Sequence, residues 1–356
     1  MEMGEMSKRT KFLYAIIFLS IFYLFAFNCY AETKEELINE GNEYMQQQRY
    51  VEAVDVFNKA IKLDPNDADV YYNNLGLIYY QWGDFTKALS NYNKAIALNP
   101  NFALAYNNQG LLFFQQGDLS HALNDYNKAI ELDPTIAKAY EDRAAVYEKQ
   151  GDLNQALSDY SKAIELDPNF IDAYDNRGLL YYQQGNLTQS LSDYNKAIEL
   201  NPNYAVAYSN RGLLDYQEGD LNQALSDYNK AIELNPNLAK AYDNRGSLYV
   251  KSGDSTQALS DFSKAIELNP NYATAYYNRG NLYYPLGDFT NAVNDLSKSI
   301  ELNPKNAGAY YVRALAYFRL KIYDNSWSDV HSAEQLGYSI EQDFLNDLKK
   351  DSGRDQ

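Results

Sequence analysis

Several residue types are scarce in this chain, and their scarcity narrows the chemistry open to it. Its 356 residues include one cysteine, Cys29, and two histidines, His121 and His331. A single cysteine excludes an intramolecular disulfide and a cluster of thiolate metal ligands. The histidines lie in different predicted helices without an evident catalytic partner, and no phosphate-binding glycine loop or nucleophile elbow occurs. We therefore expect a protein that is not an enzyme and that has no cofactor or metal.

Basic residues are also fewer than acidic ones. The chain has 31 Lys and Arg residues against 48 Asp and Glu residues, which gives a net charge of -17 at pH 7. Such a surface repels nucleic acids and anionic lipid headgroups, so we expect no nucleic-acid partner. This acidity has two interpretations: it keeps the protein soluble, or it attracts a basic protein partner.

The one long apolar run lies at the amino terminus. Lys8, Arg9 and Lys11 precede an apolar stretch over residues 12–27, and polar sequence begins at Glu32. This order is typical of a secretory signal peptide over residues 1–31, with cleavage after Ala31. Two alternatives are an uncleaved membrane anchor and a lipoprotein that is lipidated at Cys29. Each of the three predicts that the acidic remainder is exported, as a periplasmic, secreted or membrane-anchored protein.

Proline is rare, yet it recurs at a fixed interval. Eight of the nine prolines stand at 65, 100, 134, 168, 202, 236, 270 and 304, and each follows a small residue by 24 positions. One interval is 35 residues and the other six are 34. Segments such as KAIELNP precede these prolines, and glycine–aspartate pairs such as Gly117 and Asp118 divide most units into two predicted helices, A and B.

This pattern resembles the tetratricopeptide repeat (TPR), a 34-residue unit of two helices with an aromatic residue, a glycine four residues later and a later proline. Position 4 of the unit is aromatic in repeats 2–9, and position 8 is glycine or alanine throughout. The resemblance covers nine repeats, at 34–68, 69–102, 103–136, 137–170, 171–204, 205–238, 239–272, 273–306 and 307–340.

The resemblance implies an all-α fold, a right-handed α-solenoid of tandem helix-turn-helix repeats. A single unit cannot bury its apolar face, so successive units must stack and the last one must be covered. Ile340, Phe344, Leu345 and Leu348 share one face of the final predicted helix. We therefore expect residues 341–356 to form a capping helix and a tail.

Two charged positions change along the chain together. Position 7 is arginine in repeats 4–9, and position 23 is aspartate in repeats 3–8, 18 residues before one of those arginines. In the early repeats Val56 precedes Leu75 by 19 residues, which include the one inserted before Gly76, and Asn91 precedes Gln109 by 18, so residue types match at equivalent positions. We predict structural pairs between adjacent repeats: Asp125–Arg143, Asp159–Arg177, Asp193–Arg211, Asp227–Arg245, Asp261–Arg279 and Asp295–Arg313. The alternative is that each aspartate bonds the lysine three residues later.

The resemblance also implies where a partner would bind, because the family's concave surface is lined by helix A at positions 2, 5, 6, 9, 12 and 13. Asparagine recurs there at position 6 and aromatic residues at position 12, a combination suited to an extended peptide. The alternative is that the asparagines bond their own neighbours and the aromatic residues pack between helices. The candidate residues are Asn108, Phe114, Asn176, Leu179, Tyr182, Asn210, Leu213, Tyr216, Asn244, Asn278, Asn281 and Tyr284.

The sequence thus favours a non-catalytic adaptor outside the cytoplasm that binds a protein or peptide. The alternative is an architectural, self-associating solenoid without a peptide ligand. Contact with a membrane would be limited to the N-terminal segment, if that segment is retained or lipidated. In repeat 8, Pro285 falls in the last turn of helix A and is expected to disturb the end of that helix.

Overall fold

The computed structural model of the chain describes residues 33–354. Within that range it contains nineteen α-helices, one short 3₁₀-helix at Pro65–Asp67 and no strand, which confirms the all-α class. The helices are α1 (Lys34–Gln46), α2 (Tyr50–Leu63), α3 (Asp69–Gln81), α4 (Phe85–Leu98), α5 (Ala103–Gln115), α6 (Leu119–Leu132), α7 (Ala137–Gln150), α8 (Leu153–Leu166), α9 (Ile171–Gln183), α10 (Leu187–Leu200), α11 (Ala205–Glu218), α12 (Leu221–Leu234), α13 (Ala239–Ser252), α14 (Ser255–Leu268), α15 (Ala273–Tyr283), α16 (Phe289–Leu302), α17 (Ala307–Arg319), α18 (Tyr323–Gln335) and α19 (Gln342–Ser352).

The chain divides into two compact units. The first ends at Leu166 and contains α1–α8, and the second begins at Asp167 and contains α9–α19. In each unit an odd-numbered helix, the A helix of its repeat, packs against the even-numbered B helix that follows. Each B helix also contacts the next A helix of the same unit, so the apolar contacts run from one repeat to the next.

Glycine and aspartate make the turn between helices A and B. In repeat 6, Gly219 follows α11 with a φ of 90°, a left-handed conformation that glycine adopts without steric cost. Asp220 then caps α12, since its carboxylate accepts a hydrogen bond of 3.0 Å from the backbone N–H of Gln223. The glycine thus ends helix A and the aspartate begins helix B, so the chain reverses within a few residues.

Small residues at position 8 allow the two helices of a repeat to approach closely. A Cβ atom added to Gly76 would lie 2.4 Å from Cε1 of Tyr92, whose ring is fully buried. The same contact recurs in repeat 6, where a Cβ atom on Gly212 would lie 2.9 Å from Cε1 of Tyr228. The aromatic ring of helix B therefore occupies the space that the missing side chain leaves on helix A.

The arginine–aspartate pairs join the two helices of one repeat, so the predicted pairing between adjacent repeats is wrong. In repeat 7, Nε and Nη2 of Arg245 donate to the two carboxylate oxygens of Asp261 at 2.7 and 2.8 Å. The same pairing, 16 residues apart, is found throughout repeats 4–9: Arg143–Asp159, Arg177–Asp193, Arg211–Asp227, Arg245–Asp261, Arg279–Asp295 and Arg313–Asp329. Positions 7 and 23 face each other because both lie at the A–B contact.

The remaining guanidinium nitrogen, Nη1, reaches the preceding repeat from Arg143, Arg211, Arg245, Arg279 and Arg313. Nη1 of Arg245 donates to Oδ1 of Asn229 at 2.6 Å, and Nη1 of Arg279 donates to Oγ of Ser263 at 2.9 Å. A link between neighbouring repeats therefore exists, but it runs from the arginine to position 25 of the preceding helix B and not to the predicted aspartate at position 23. The alternative, in which each aspartate bonds the lysine three residues later, is also wrong. Lys230, which follows Asp227 by three residues, bonds Glu233 at 2.9 Å instead.

The C-terminal helix α19 lies against the last helix pair. Phe344 and Leu348 are buried, and the ring of Phe344 meets the ring of Phe318 edge-on at 5.6 Å between centroids. Ile340 and Leu345 pack on the same apolar cluster. The helix thereby covers apolar side chains that a following repeat would otherwise bury.

The N-terminal predictions lie outside the described residues, since the signal peptide, anchor and lipidation alternatives all concern residues 1–31. Within residues 33–354, every helix is too short or too polar to cross a membrane.

Candidate protein-interaction surface

The A-helix face is the surface formed by positions 2, 5, 6, 9, 12 and 13 of the odd-numbered helices. The structure places Asn108 and Phe114 there on α5 of the first unit. In the second unit the predicted residues lie on α9 (Asn176, Leu179, Tyr182), α11 (Asn210, Leu213, Tyr216), α13 (Asn244) and α15 (Asn278, Asn281), with Tyr284 just beyond its end.

Amide side chains on this face bond from one repeat to the next. In the first unit, Nδ2 of Asn108 donates to Oδ1 of Asn73 at 2.9 Å. In the second unit, Nδ2 of Asn278 donates to Oδ1 of Asp243 at 2.9 Å. In each case the donor is at position 6 and the acceptor at position 5 of the preceding A helix. These asparagines link neighbouring A helices, as the alternative interpretation of the sequence held.

Asn210 is the clearest departure from the predicted peptide-binding role. Its side chain is buried, with Nδ2 donating to Oδ1 of Asp175 at 2.9 Å and Oδ1 accepting from Nζ of Lys240 at 3.0 Å. Both ends of the amide are therefore occupied, and Asn210 is a structural residue. Asn244 extends the series more weakly, since its Nδ2 lies 3.4 Å from Oγ of Ser209.

The hydrogen bonds from asparagines at position 6 to position 5 of the preceding A helix form a series that we call the amide ladder. Burial shifts the pKa values of its charged members. Desolvation raises the pKa of Asp175 and Asp243, and the hydrogen bonds from Asn210 and Asn278 oppose that rise. Desolvation likewise lowers the pKa of Lys240, against the attraction of Asp175. The buried polar atoms are thus held by one another at the centre of the face and are not offered to a ligand.

The aromatic side chains at position 12 are half-buried, and lysines cover two of them. Nζ of Lys149 lies 4.3 Å from the ring centroid of Phe114, and Nζ of Lys251 lies 4.6 Å from that of Tyr216. Tyr182 has no such cover, and partial burial raises the pKa of its hydroxyl. The lysines were not among the predicted residues, although each replaces the glutamine that repeats 5 and 6 carry at position 13.

A cavity of about 270 Å³ opens on the A-helix face of the second unit. It brings together three of the predicted residues, Tyr216, Asn278 and Asn281. It also includes five that were not among the predicted surface residues: Ser247, Val250, Phe262, Leu282 and Pro285. Pro285 acts as predicted on its helix, because α15 ends at Tyr283 and has 11 residues where α17 has 13.

The two histidines lie far from one another along the chain, on B helices. His121 Nδ1 is 2.7 Å from Oδ2 of Asp118, and the ring of His331 stacks on Trp327 at 5.9 Å between centroids. Among the residues that the structure describes, no three His, Cys, Asp or Glu side chains are grouped so that they could hold a metal ion.

Comparison with protein families gives one match, which recurs along the chain. The model for the TPR repeat matches residues 41–81, 76–117, 110–151, 149–185, 178–217, 212–253, 246–287 and 280–321. No curated protein sequence matches the chain.

Solved structures show the same fold at low sequence identity. One is the hetero-tetramer Cut9–Hcn1 of the APC/C, with a TM-score of 0.63 and 19% identity over 83% of this chain. The present chain spans 57% of that protein's length. Another is a tetratricopeptide repeat protein from Parabacteroides merdae, with a TM-score of 0.58 and 23% identity, covering 70% of this chain and 98% of its own length.

Proposed function

Because this chain belongs to the tetratricopeptide-repeat family, whose solenoids are protein-interaction scaffolds, we propose that it is a non-catalytic adaptor that binds an extended segment of another protein. The partner lies along the A-helix face. The observation that carries this proposal is the set of half-exposed aromatic side chains at position 12 of repeats 2, 3, 5, 6, 8 and 9, most of which lie beside a polar residue at position 13.

The amide ladder supports such a role indirectly. Since the hydrogen bonds of Asn210 and Asn278 fix adjacent A helices to one another, the aromatic side chains between them are held in place before a partner arrives. Binding then costs less conformational entropy than it would on a mobile surface. Aromatic side chains such as Tyr182 provide contact area, and position 13 residues such as Gln183 provide polar contacts at the edge.

A double substitution tests this proposal. We expect the full-length Tyr182→Ala/Gln183→Ala variant to capture its partner from an extract of the source cells roughly tenfold less well than the parent, because an aromatic contact and its polar neighbour are lost. Capture is measured by quantitative mass spectrometry after cross-linking. Circular dichroism must show that the variant retains its helix content.

The matched control carries Thr188→Ala and Asn222→Ala, two exposed changes on the B helices α10 and α12. Equal losses in the control and the variant would contradict binding on the A-helix face. If the only captured protein is the chain itself, the architectural, self-associating alternative replaces the adaptor.

We further propose that the repeats function outside the cytoplasm. The basic residues before the apolar stretch at 12–27 support export of everything after it. Fractionation of the source cells should find the protein outside the cytoplasm, and sequencing of the mature amino terminus should begin at Glu32 if cleavage follows Ala31. A cytoplasmic protein that retains Met1 would contradict export, while labelling of Cys29 by a fatty acid would identify a lipoprotein.

A further inference from the structure

The cavity on the second unit has apolar walls and a polar rim. Leu282 and the ring of Phe262 are buried behind it, and Pro285 and Val250 stand at its opening, where Val250 is 43% exposed. Ser247 and Asn281 contribute a hydroxyl and an amide. A cavity of this composition can take up an apolar group while its rim bonds a polar one.

Departures from the repeat create this space. Position 9 is leucine in repeats 5 and 6, as Leu179 and Leu213, but it is Ser247 and Asn281 in repeats 7 and 8. Position 12 is tyrosine in repeats 5 and 6 but Val250 in repeat 7. Each change removes apolar side-chain volume from the same face of neighbouring helices, α13 and α15. The backbone spacing is set by the A–B contacts, so the lost volume remains as a cavity.

A cation lies against one of the residues that line the cavity. Nζ of Lys251 lies 4.6 Å from the ring centroid of Tyr216, a wall residue, and 3.3 Å from the carbonyl oxygen of the same tyrosine. Within residues 33–354, the ammonium group of Lys251 bonds the carbonyl oxygen of Tyr216 and no carboxylate, although the chain has a net charge of -17. A carboxylate on a bound partner would therefore find an unneutralised ammonium group beside the cavity.

We propose that this cavity is the subsite for one large apolar side chain of the partner segment, and that a carboxylate next to that side chain pairs with Lys251. This proposal rests on the proposed function and specifies the chemistry of its partner. A cavity of about 150 Å³ is sufficient for a benzene ring, so about 270 Å³ accommodates a phenyl group or a branched aliphatic side chain together with its attachment. The exposed amide of Asn281 is placed to bond the backbone of the same segment.

The probe is 3-phenylpropionate, which carries an apolar ring and a carboxylate, and 3-phenylpropanol is its uncharged counterpart. Binding to the full-length chain is followed by saturation-transfer-difference NMR and titration calorimetry. Both compounds should bind weakly, in the millimolar range, as expected for so few non-hydrogen atoms. The carboxylate should give 3-phenylpropionate the higher affinity.

The variants restore residues that the chain itself uses in repeats 5 and 6. Ser247→Leu and Asn281→Leu refill the cavity and should each weaken binding of both compounds about tenfold or more, since the ring loses its space. Lys251→Gln should weaken 3-phenylpropionate about threefold and leave 3-phenylpropanol unchanged. Ala145→Leu adds a leucine at position 9 of repeat 4, away from the cavity, and should change neither affinity.

Three results would overturn the proposal: no binding by the parent protein, unchanged binding after both leucine substitutions, or equal losses in the Ala145→Leu control. A failure of the proposed function looks different. In that case the parent protein binds the probes and the variants bind them more weakly, as described, but the protein captures no partner from the cell extract. If a partner is captured equally by the parent and both leucine variants, the adaptor stands and this subsite is wrong.

Discussion

Replacement of Asp261 by alanine is expected to lower the free energy of unfolding by about 3 kcal/mol, because it leaves a desolvated guanidinium without its counter-ion. Asp261 is 4% exposed, and it accepts two hydrogen bonds from Arg245. The rings of Tyr242 and Tyr249 lie 5.6 and 5.9 Å from the Arg245 guanidinium carbon, which limits its access to water. Urea denaturation followed by circular dichroism measures the loss.

A double-mutant cycle identifies the partner of Asp261. Combining Asp261→Ala with Arg245→Ala should give a coupling energy of about 2 kcal/mol, because the two residues form one bidentate pair. Combining it with Arg279→Ala should give a coupling below about 0.5 kcal/mol, because that arginine pairs with Asp295. Coupling to Arg279 that equals or exceeds coupling to Arg245 would contradict the pairing within one repeat.

Replacement of Gln109 by arginine is expected to raise the free energy of unfolding at pH 8 by about 3 kcal/mol. Repeat 3 has the aspartate of the series, Asp125, but no arginine, and Oδ2 of Asp125 is buried without a hydrogen-bond partner. The surroundings of a guanidinium are already present. Tyr106 and Phe113 occupy positions 4 and 11, and Asn93, which now accepts a hydrogen bond of 2.9 Å from Gln109, matches the position 25 acceptors.

The stability of repeat 3 should also depend on pH. Burial raises the pKa of Asp125 to about 7 from an ordinary value of 3.8, and the attraction of His121 opposes this rise only in part. The folded state therefore holds a proton that the unfolded state releases, so the free energy of unfolding falls as pH rises from about 4 to 7. Gln109→Arg should abolish that fall, since an ion pair favours the charged carboxylate.

The same substitution at two sites provides the control. At pH 8, Asp125→Asn should raise the free energy of unfolding by about 2 kcal/mol, because the uncompensated charge is removed. Asp159→Asn in repeat 4 should lower it, because Arg143 loses its partner. Changes of the same sign in both variants would show that Asp125 is not an unpaired buried acid.

The sequence was sufficient to predict the helical class and the positions that face the core, because a pattern repeated nine times averages out local exceptions. It was insufficient to assign the ion pairs. A spacing of 18 and a spacing of 16 each match six aspartates to six arginines, leaving Asp329 unmatched in one case and Asp125 in the other. The agreement in type between Asn91 and Gln109 was misleading, since Asn91 bonds the backbone oxygen of Lys87 at 2.8 Å.

The candidate surface could be predicted in outline, but the roles of its residues could not. Positions 5 and 6 are adjacent in sequence, and only the stacking of neighbouring A helices shows that Asn278 meets Asp243 instead of solvent. The cavity follows from the smaller side chains at Ser247 and Val250, which are visible in the sequence as breaks in the period. Whether the space left by these smaller side chains collapses or stays open depends on the spacing of the helices, which the sequence does not give.

Within the second unit, neighbouring repeats are fastened along two separate lines. One line joins successive A helices, where Asn278 bonds Asp243, and the other joins an A helix to the preceding B helix, where Arg279 bonds Ser263. A repeat that tilts away from its neighbour about either line must stretch the bonds of the other. These repeats therefore resist bending in both directions. The spacing between their A helices is fixed, so a ligand that bound along them would meet side chains at constant intervals.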